Sequence, residues 1–132
     1  MPRWATMTSR AEIERILTEI NEAENSPDLT AAQKSQVVDA VSTPDVQGWA
    51  NGVTRGGREQ EREQEAFLWS AIPDYHRAFD RIIIDPPGAA VSWRLTGHLG
   101  EEEIDLAGST IFEFDESARI QRFWMYYNDP QA

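Results

Sequence analysis

Four sheet-forming segments follow one another in the second half of the chain, and they constrain its fold more than any other feature. Each is rich in Val, Ile, Trp, Phe, Tyr and Thr, and together they cover 75–84, 89–96, 104–114 and 119–127. Short clusters of turn-forming residues separate them. Because consecutive strands with short connections pair as hairpins, this pattern predicts an antiparallel sheet.

Helical patterns precede these segments. Ser9 and Glu12 have the spacing of a capping box, and isoleucine or leucine then recurs on one helix face at 13, 16, 17 and 20. A second short helix is predicted to start at Thr30, where Thr30 and Gln33 have the spacing of another capping box, and to stop at Pro44.

A third helix is predicted over residues 58–71, after an irregular stretch over 45–57. Its first two turns are polar on every side, so they are expected to face solvent. Helices followed by an antiparallel sheet give an α+β fold, in which three helices cover one face of a curved sheet and form a cone. The chain has 132 residues and no linker or repeat, so one domain over 1–132 is expected.

Composition excludes several classes of function. The net charge is −11 and Lys34 is the only lysine, so a nucleic-acid partner is not expected. The chain has no cysteine, and its histidines and carboxylates do not have the spacing typical of a metal site. It also has no glycine-rich nucleotide loop, so no metal or cofactor is expected. The opening Met1-Pro2-Arg3-Trp4 lacks the apolar run of a signal peptide, and no apolar stretch is long enough to span a membrane. These features predict a soluble cytoplasmic protein.

An ordered set of short sequences is similar to the SnoaL-like polyketide cyclases of the nuclear-transport-factor-2-like superfamily, which also holds ketosteroid isomerase and limonene epoxide hydrolase. The set comprises Gly48-Trp49, Gly57-Arg58, Ile72-Pro73-Asp74-Tyr75, Trp93-Arg94-Leu95-Thr96-Gly97-His98-Leu99-Gly100, Gly108-Ser109-Thr110-Ile111-Phe112-Glu113-Phe114, Arg119-Ile120 and Phe123-Trp124. The resemblance implies a cone around a hydrophobic pocket that takes a small hydrophobic molecule, and a homodimer formed through the outer face of the sheet.

One position departs from what the resemblance implies. Cyclases of this family close a polyketide ring by an aldol reaction, and an aspartate on the last strand takes the proton. That position is Met125 here, and the next carboxylate along the chain is Asp129. Methionine has no proton to exchange, so the proton acceptor must be another residue if the chain is an enzyme.

Three ionisable residues are candidates for catalysis: His76, Arg94 and Glu113. His76 follows Asp74, which could orient a neutral imidazole as a general base; the alternative is a partly exposed histidine at a strand start. Arg94 and Glu113 lie in the middle of strands, where a charge is costly unless it is paired. They form either an ion pair on the outer face or a carbonyl-polarising arginine with a carboxylate base.

Six residues are candidates for ligand contact: Trp49, Asn51, His98, Phe123, Met125 and Tyr127. Strand alternation puts Gln121, Phe123, Met125 and Tyr127 on one face of the last strand, although a bulge would invert that assignment. The positions of Trp49 and Asn51 line the pocket in the proteins that the chain resembles, and His98 occupies a turn where those proteins also carry a histidine.

Three hypotheses follow. The preferred one is a cofactor-independent cyclase or isomerase acting on a small hydrophobic, polyketide-like carbonyl compound. The alternative is a non-catalytic binding or dimerisation module of the same fold, with Met125 as an adaptable apolar wall. An epoxide-hydrolase-like enzyme ranks third, because that chemistry needs an arginine flanked by carboxylates and Ser92 and Thr96, on the same face as Arg94, are not acidic.

Overall fold

The computed structural model describes residues 8–128, so Met1-Pro2-Arg3-Trp4 and Asp129 lie outside the described part. Within these residues, three helices and six strands follow one another as α1 (Arg10–Asn25), α2 (Ala31–Ala40), β1 (Ser42–Ala50), β2 (Val53–Gly56), α3 (Arg58–Ala71), β3 (His76–Asp85), β4 (Gly88–Leu99), β5 (Glu102–Phe114) and β6 (Ile120–Tyr127). In the described part of the chain, no helix is long and apolar enough to cross a membrane.

The six strands form one curved, unclosed sheet in the order β2-β1-β6-β5-β4-β3, and the helices cover one of its faces. All neighbouring strands are antiparallel except β1 and β6, which are parallel. The predicted α+β cone is therefore confirmed, with the first two strands added to the four that the sequence indicated.

The helix starts follow from their caps. Ser9 and Thr30 each accept a hydrogen bond from the backbone N–H three residues later, and Glu12 and Gln33 reach back to the caps, so both predicted capping boxes are confirmed. The third helix has the predicted bounds. The second ends at Ala40, before Pro44, because the chain there already enters β1.

The prediction of an irregular segment over 45–57 is wrong. Residues 42–56 form the β1–β2 hairpin, and its turn is Asn51-Gly52, with φ of 50° and 83°. Asn-Gly favours the left-handed conformations that a tight hairpin turn requires. Trp49 consequently lies on a strand instead of in a loop.

Accessibility settles which side of the sheet is internal. On β4 the odd-numbered residues Ala89, Val91, Trp93 and Leu95 are buried beneath the helices. The other face carries exposed Ile111 and Tyr126 and the stacked rings of Trp49 and Trp124, whose centroids are 5.4 Å apart. It is the face where the resemblance implies a homodimer contact, and that contact stays a prediction.

Gly108 is a position where only glycine fits. A Cβ there would lie 2.5 Å from the Trp93 indole and 2.6 Å from the Tyr126 carbonyl oxygen. The indole lies across Gly108 because its Nε1–H donates to Thr110 Oγ1 at 2.9 Å.

We therefore expect Gly108→Ala to lower the free energy of unfolding by about 2–4 kcal/mol, since overpacking forces the indole off its site. Gly88→Ala is the matched control in the neighbouring strand, because its Cβ would meet only ordinary contacts at 3.5 Å. Urea unfolding of both variants measures the difference, and equal stabilities would contradict the packing described for Trp93.

Candidate functional site

A chamber with two lobes lies between the helices and the sheet. The first lobe has a volume of about 90 Å³ and the second about 170 Å³. The lobes are adjacent because six residues line both, and these six are called the shared wall: Glu24, Glu61, Glu65, Arg77, Trp93 and Met125.

The lobes differ in chemistry beyond the shared wall. The first is bordered by apolar residues of the sheet and by a polar rim in which Arg58 and Arg62 of α3 both bind the Asp39 carboxylate of α2. The second is mostly apolar and aromatic, and its own lining residues are Arg55, Leu68, Trp69, Ile72, Tyr75, Leu95, Ile104, Leu106 and Tyr127.

Arg77 is the cation of the shared wall. Its guanidinium carbon lies 4.4 Å from the Trp93 ring centroid, and its Nε is 4.0 Å from a carboxylate oxygen of Glu24. Within residues 8–128 its side chain makes no hydrogen bond, and its Nε is buried without a partner. Nearby carboxylates, Glu24 first, raise the pKa of Arg77 against the opposing effect of burial. A buried arginine with unused donors is suited to bind an oxygen atom of a ligand.

The backbone of Arg77 is held by the end of α1. Asn25 accepts a hydrogen bond from the Arg77 N–H at 2.7 Å and donates one to its carbonyl at 2.8 Å. Asn21 donates a second bond to that carbonyl at 2.7 Å. These contacts fix the point on β3 from which the guanidinium enters the chamber.

Glu24 and Tyr75 are already engaged with each other. The Tyr75 hydroxyl donates to Glu24 Oε2 at 3.0 Å, and Asn21 donates to Oε1 at 3.1 Å. Burial raises the pKa of Tyr75 far above its ordinary value, so the phenol stays protonated. Arg55 similarly pairs with Glu61, at 2.6 Å between Nε and Oε2.

Glu65 is the carboxyl group of the shared wall with no such partner. Among the described residues it makes no hydrogen bond and no ion pair within 4 Å. Its side chain is only partly accessible, and it borders both lobes. Burial, reinforced by the charges of Glu61 and Glu24, raises the pKa of Glu65 to about 8. It is therefore a carboxyl group that can exchange a proton near neutral pH.

This raised pKa makes stability depend on pH. The folded protein keeps a proton on Glu65 that the unfolded chain releases above its ordinary pKa of 4.5. The protonated Glu65 side chain therefore contributes fully to the free energy of unfolding below pH 4.5, and this contribution is lost as the pH rises toward 8.

We expect Glu65→Gln, which cannot ionise, to gain stability relative to the wild type by about 2–5 kcal/mol between pH 5 and pH 9. Urea unfolding of both proteins at several pH values measures this difference, and the contributions of other groups cancel in it. A difference that stays constant with pH would show that Glu65 ionises normally.

The three predicted catalytic residues lie away from the chamber. Arg94 is exposed and forms a bidentate pair with Asp105, with both distances 2.6 Å. Glu113 accepts a hydrogen bond from Gln121 at 2.7 Å and pairs with Arg122. His76 is exposed and lies opposite Thr96. Of the two placements that the sequence left open, the one inside the cone is corrected, because the even residues of β4 and their cross-strand neighbours form the outer face. The alternative of a pair between Arg94 and Glu113 is also corrected, since each pairs with another residue.

The predicted ligand contacts divide into two groups. Phe123 and Met125 line the first lobe, and Met125 and Tyr127 line the second. Gln121 instead faces outward, because the ladder shifts register between Glu113 and Phe114.

Trp49, Asn51 and His98 do not border either lobe. Trp49 stacks on Trp124 at the outer face, and Asn51 accepts a hydrogen bond from the Tyr127 backbone at 3.0 Å. His98 is exposed, with Nδ1 2.6 Å from the Asp74 carboxylate, and this hydrogen bond raises the pKa of His98.

Sequence reasoning missed Glu24, Glu65 and Arg77. The expectation that the first two turns of α3 face solvent is wrong for Glu61 and Glu65. These two residues lie four apart, and Trp69 and Ile72 continue the same helix face into the core. Tyr75, just before β3, and Arg77 and Phe79 within it alternate inward in the same way. The spacing of these residues along the helix and the strand could therefore have indicated that they face inward, but the polar composition of their segments favoured a solvent-exposed interpretation.

The three carboxyl groups of the shared wall raise the question of a metal. In residues 8–128, no group of three or more His, Asp or Glu side chains is arranged to hold a metal ion. The charges of Arg77 and Arg55 instead offset those of the carboxylates.

Solved structures with the same fold cover most of the chain. A protein from Jannaschia sp. CCS1 described as a SnoaL-like polyketide cyclase superposes with a TM-score of 0.75 at 15% identity, over 92% of this chain and 90% of that one. AclR from Streptomyces galilaeus, described as a hydroxylase, gives 0.75 at 14% identity over 91% of each chain. An epoxide hydrolase of M. tuberculosis resembling limonene epoxide hydrolase gives 0.71 at 16% identity, over 89% and 84%.

Identities this low establish the fold and leave the activity open. No curated protein matches the sequence significantly. The profile of the SnoaL-like domain matches residues 21–123, which run from the α1 residues that hold Arg77 to Phe123 at the chamber wall. The chain therefore belongs to the SnoaL-like domain family.

Proposed function

We propose that this protein is a cofactor-independent enzyme that moves a proton next to the carbonyl group of a small, mostly apolar compound, as an isomerase or cyclase does. The observation that carries the proposal is the Glu65 carboxyl group, which borders both lobes without a partner and has a pKa of about 8. A general base works best when its pKa is close to the working pH. Glu65 acts as the proton acceptor, a role that Met125 cannot fill because methionine has no proton to exchange.

In a ketone substrate, the Glu65 carboxylate takes a proton from the carbon beside the carbonyl, and the C–H electron pair moves to form an enolate. An N–H group of Arg77 donates to the enolate oxygen, where negative charge develops. In the isomerisation of an unsaturated ketone, Glu65 returns the proton to the far carbon of the conjugated enolate. In a cyclisation, the enolate carbon attacks a second carbonyl of the same molecule, and Glu65 returns the proton to the alkoxide oxygen that forms.

Deuterium uptake tests this step without knowledge of the natural product. Acetophenone and 2-octanone are incubated with the protein in D₂O, and loss of the proton signal beside the carbonyl is followed by NMR. Exchange of either ketone above the buffer rate is expected. No exchange of either, while the folded protein binds one of them, would contradict the proposal and favour a binding module.

A second candidate is supported by one observation. Arg77 lies near two carboxyl groups of the shared wall: Glu24, at 4.0 Å, and Glu65 of α3, whose charge also acts on Arg77. Such acidic neighbours are what Arg94 lacks on its own strand face. An epoxide hydrolase would use protonated Glu65 to protonate the epoxide oxygen as its C–O bond breaks, while Glu24 accepts a proton from the attacking water.

The two candidates predict opposite responses to pH. Carbonyl exchange needs the carboxylate of Glu65, so its rate should rise with pH and level off above about 8. Epoxide opening needs the protonated acid, so its rate should fall above that value. Measuring styrene oxide hydrolysis and acetophenone exchange over the same pH range separates them.

A further inference from the structure

We infer that the substrate carries a single six-membered ring, which occupies the second lobe with the carbonyl oxygen turned toward Arg77. This inference rests on the proposed function, because it assigns the substrate class of the same site. Fused polycyclic ketones are too large for this chamber and are excluded as substrates.

Volume supplies the first argument. A buried apolar cavity of about 150 Å³ accommodates one benzene ring. The second lobe, at about 170 Å³, matches that size, and the two lobes together are smaller than two such cavities. One ring therefore fills the second lobe, and the first lobe leaves room only for a short substituent.

The walls of the second lobe supply the second argument. Trp93 and Tyr127 both line it and contact each other, with centroids 6.4 Å apart and planes tilted by 41°. Flat aromatic walls of this kind favour a ring over a flexible chain, because a ring loses less conformational freedom on binding. Among the described residues that line the second lobe outside the shared wall, Arg55 is the one that carries a charge, and Glu61 neutralises it at 2.6 Å.

The position of the charges supplies the third argument. Arg77 and Glu65 belong to the shared wall, so they stand at one end of the second lobe and not along its sides. A ring that fills the apolar part can place a carbonyl at the Arg77 donors only if that group is part of the ring or directly attached to it. The inferred class is a cyclic ketone or an acyl-substituted monocycle.

Leu106 is the residue chosen to test the size limit. It is partly buried, packs in the cluster of Trp93 and Leu95, and lines the second lobe but not the first. It also lies outside the shared wall, so truncating it enlarges the lobe without removing a charged group. Leu99→Ala is the matched control, because Leu99 is exposed at the end of β4.

The experiment compares three ketones by isothermal titration calorimetry: acetophenone, 2-acetylnaphthalene with one more fused ring, and 2-octanone with the carbon number of acetophenone. The wild type is expected to bind acetophenone at least tenfold more tightly than either of the others. The naphthalene compound is more apolar, so an open hydrophobic surface would give the reverse order. Leu106→Ala should lower the ratio between the dissociation constants of 2-acetylnaphthalene and acetophenone at least threefold. Leu99→Ala should leave that ratio unchanged.

Equal or tighter binding of 2-acetylnaphthalene or 2-octanone by the wild type, or no binding of acetophenone, would overturn the inference. Failure of the proposed function looks different, since acetophenone would bind in the expected order but its methyl protons would not exchange. Titration of Glu65→Gln completes the separation, because that variant should keep the order of affinities while losing exchange.

Discussion

Glu65→Gln is expected to lower the rate of deuterium exchange into acetophenone at least a hundredfold. Glutamine keeps the shape of the side chain and its contact with both lobes but cannot take a proton. General-base catalysis by a positioned side chain commonly contributes 10²–10⁴-fold, so loss of the base should remove most of the activity. The exchange rate per enzyme, measured by NMR at saturating ketone, gives the effect.

Glu63→Gln is the control for this experiment. Glu63 lies on the same helix two residues earlier, and its side chain faces solvent. Glu63→Gln makes the same chemical substitution on the same helix but outside the chamber, so the wild-type rate is expected for it. A Glu65→Gln variant that exchanges as fast as Glu63→Gln would remove Glu65 from the mechanism.

Arg77→Gln is expected to lower the free energy of unfolding by about 3–5 kcal/mol. The change leaves the buried Glu24 carboxylate without the cation that lies 4.0 Å from it, and an uncompensated buried charge is costly. It also removes the guanidinium from its place over the Trp93 ring. Urea unfolding at pH 7 measures the loss.

Two comparisons make this result specific. Arg81→Gln removes an exposed charge from the same strand and should change stability by less than about 0.5 kcal/mol. Adding Glu24→Gln to Arg77→Gln should recover part of the loss, because one uncompensated carboxylate disappears. If Arg77→Gln and Arg81→Gln are equally stable, Arg77 does not balance the carboxylates of the chamber.

The features predicted well from the sequence are those set by neighbours along the chain. Capping boxes at Ser9 and Thr30, the bounds of the third helix and the four consecutive strands all depend on local pattern, and all are confirmed. Met125 was placed correctly in the chamber because the alternation of β6 is regular from Phe123 onward.

The features predicted poorly depend on contacts between distant segments. β1 was missed because Pro44 and Gly48 dilute its strand character, and it is held in place by parallel pairing with β6, far along the chain. Gly48 is nevertheless required, since the Phe123 ring lies where its Cβ would be, at 2.2 Å. Such a close approach leaves no local sequence signal.

The site itself was hidden by composition. Glu65 stands in a run of charged and amide residues that reads as a solvated surface, and only its helical spacing from Trp69 indicates an inward face. Arg94 and Glu113 were more conspicuous because they interrupt apolar strands, yet each is paired on the outer face. Which face of a strand is internal depends on the helices packed against it, and pattern alone does not supply that.

The most direct test of the account is the pKa of Glu65 in the folded protein. Carbon-13 labelling of glutamate side chains and NMR titration of the carboxyl signals from pH 4 to pH 10 measure it, with Glu65→Gln assigning the resonance. A titration midpoint near 8 is the predicted result. A midpoint near the ordinary value of 4.5 would show a solvated carboxylate and would contradict the proton-transfer site proposed for this chamber.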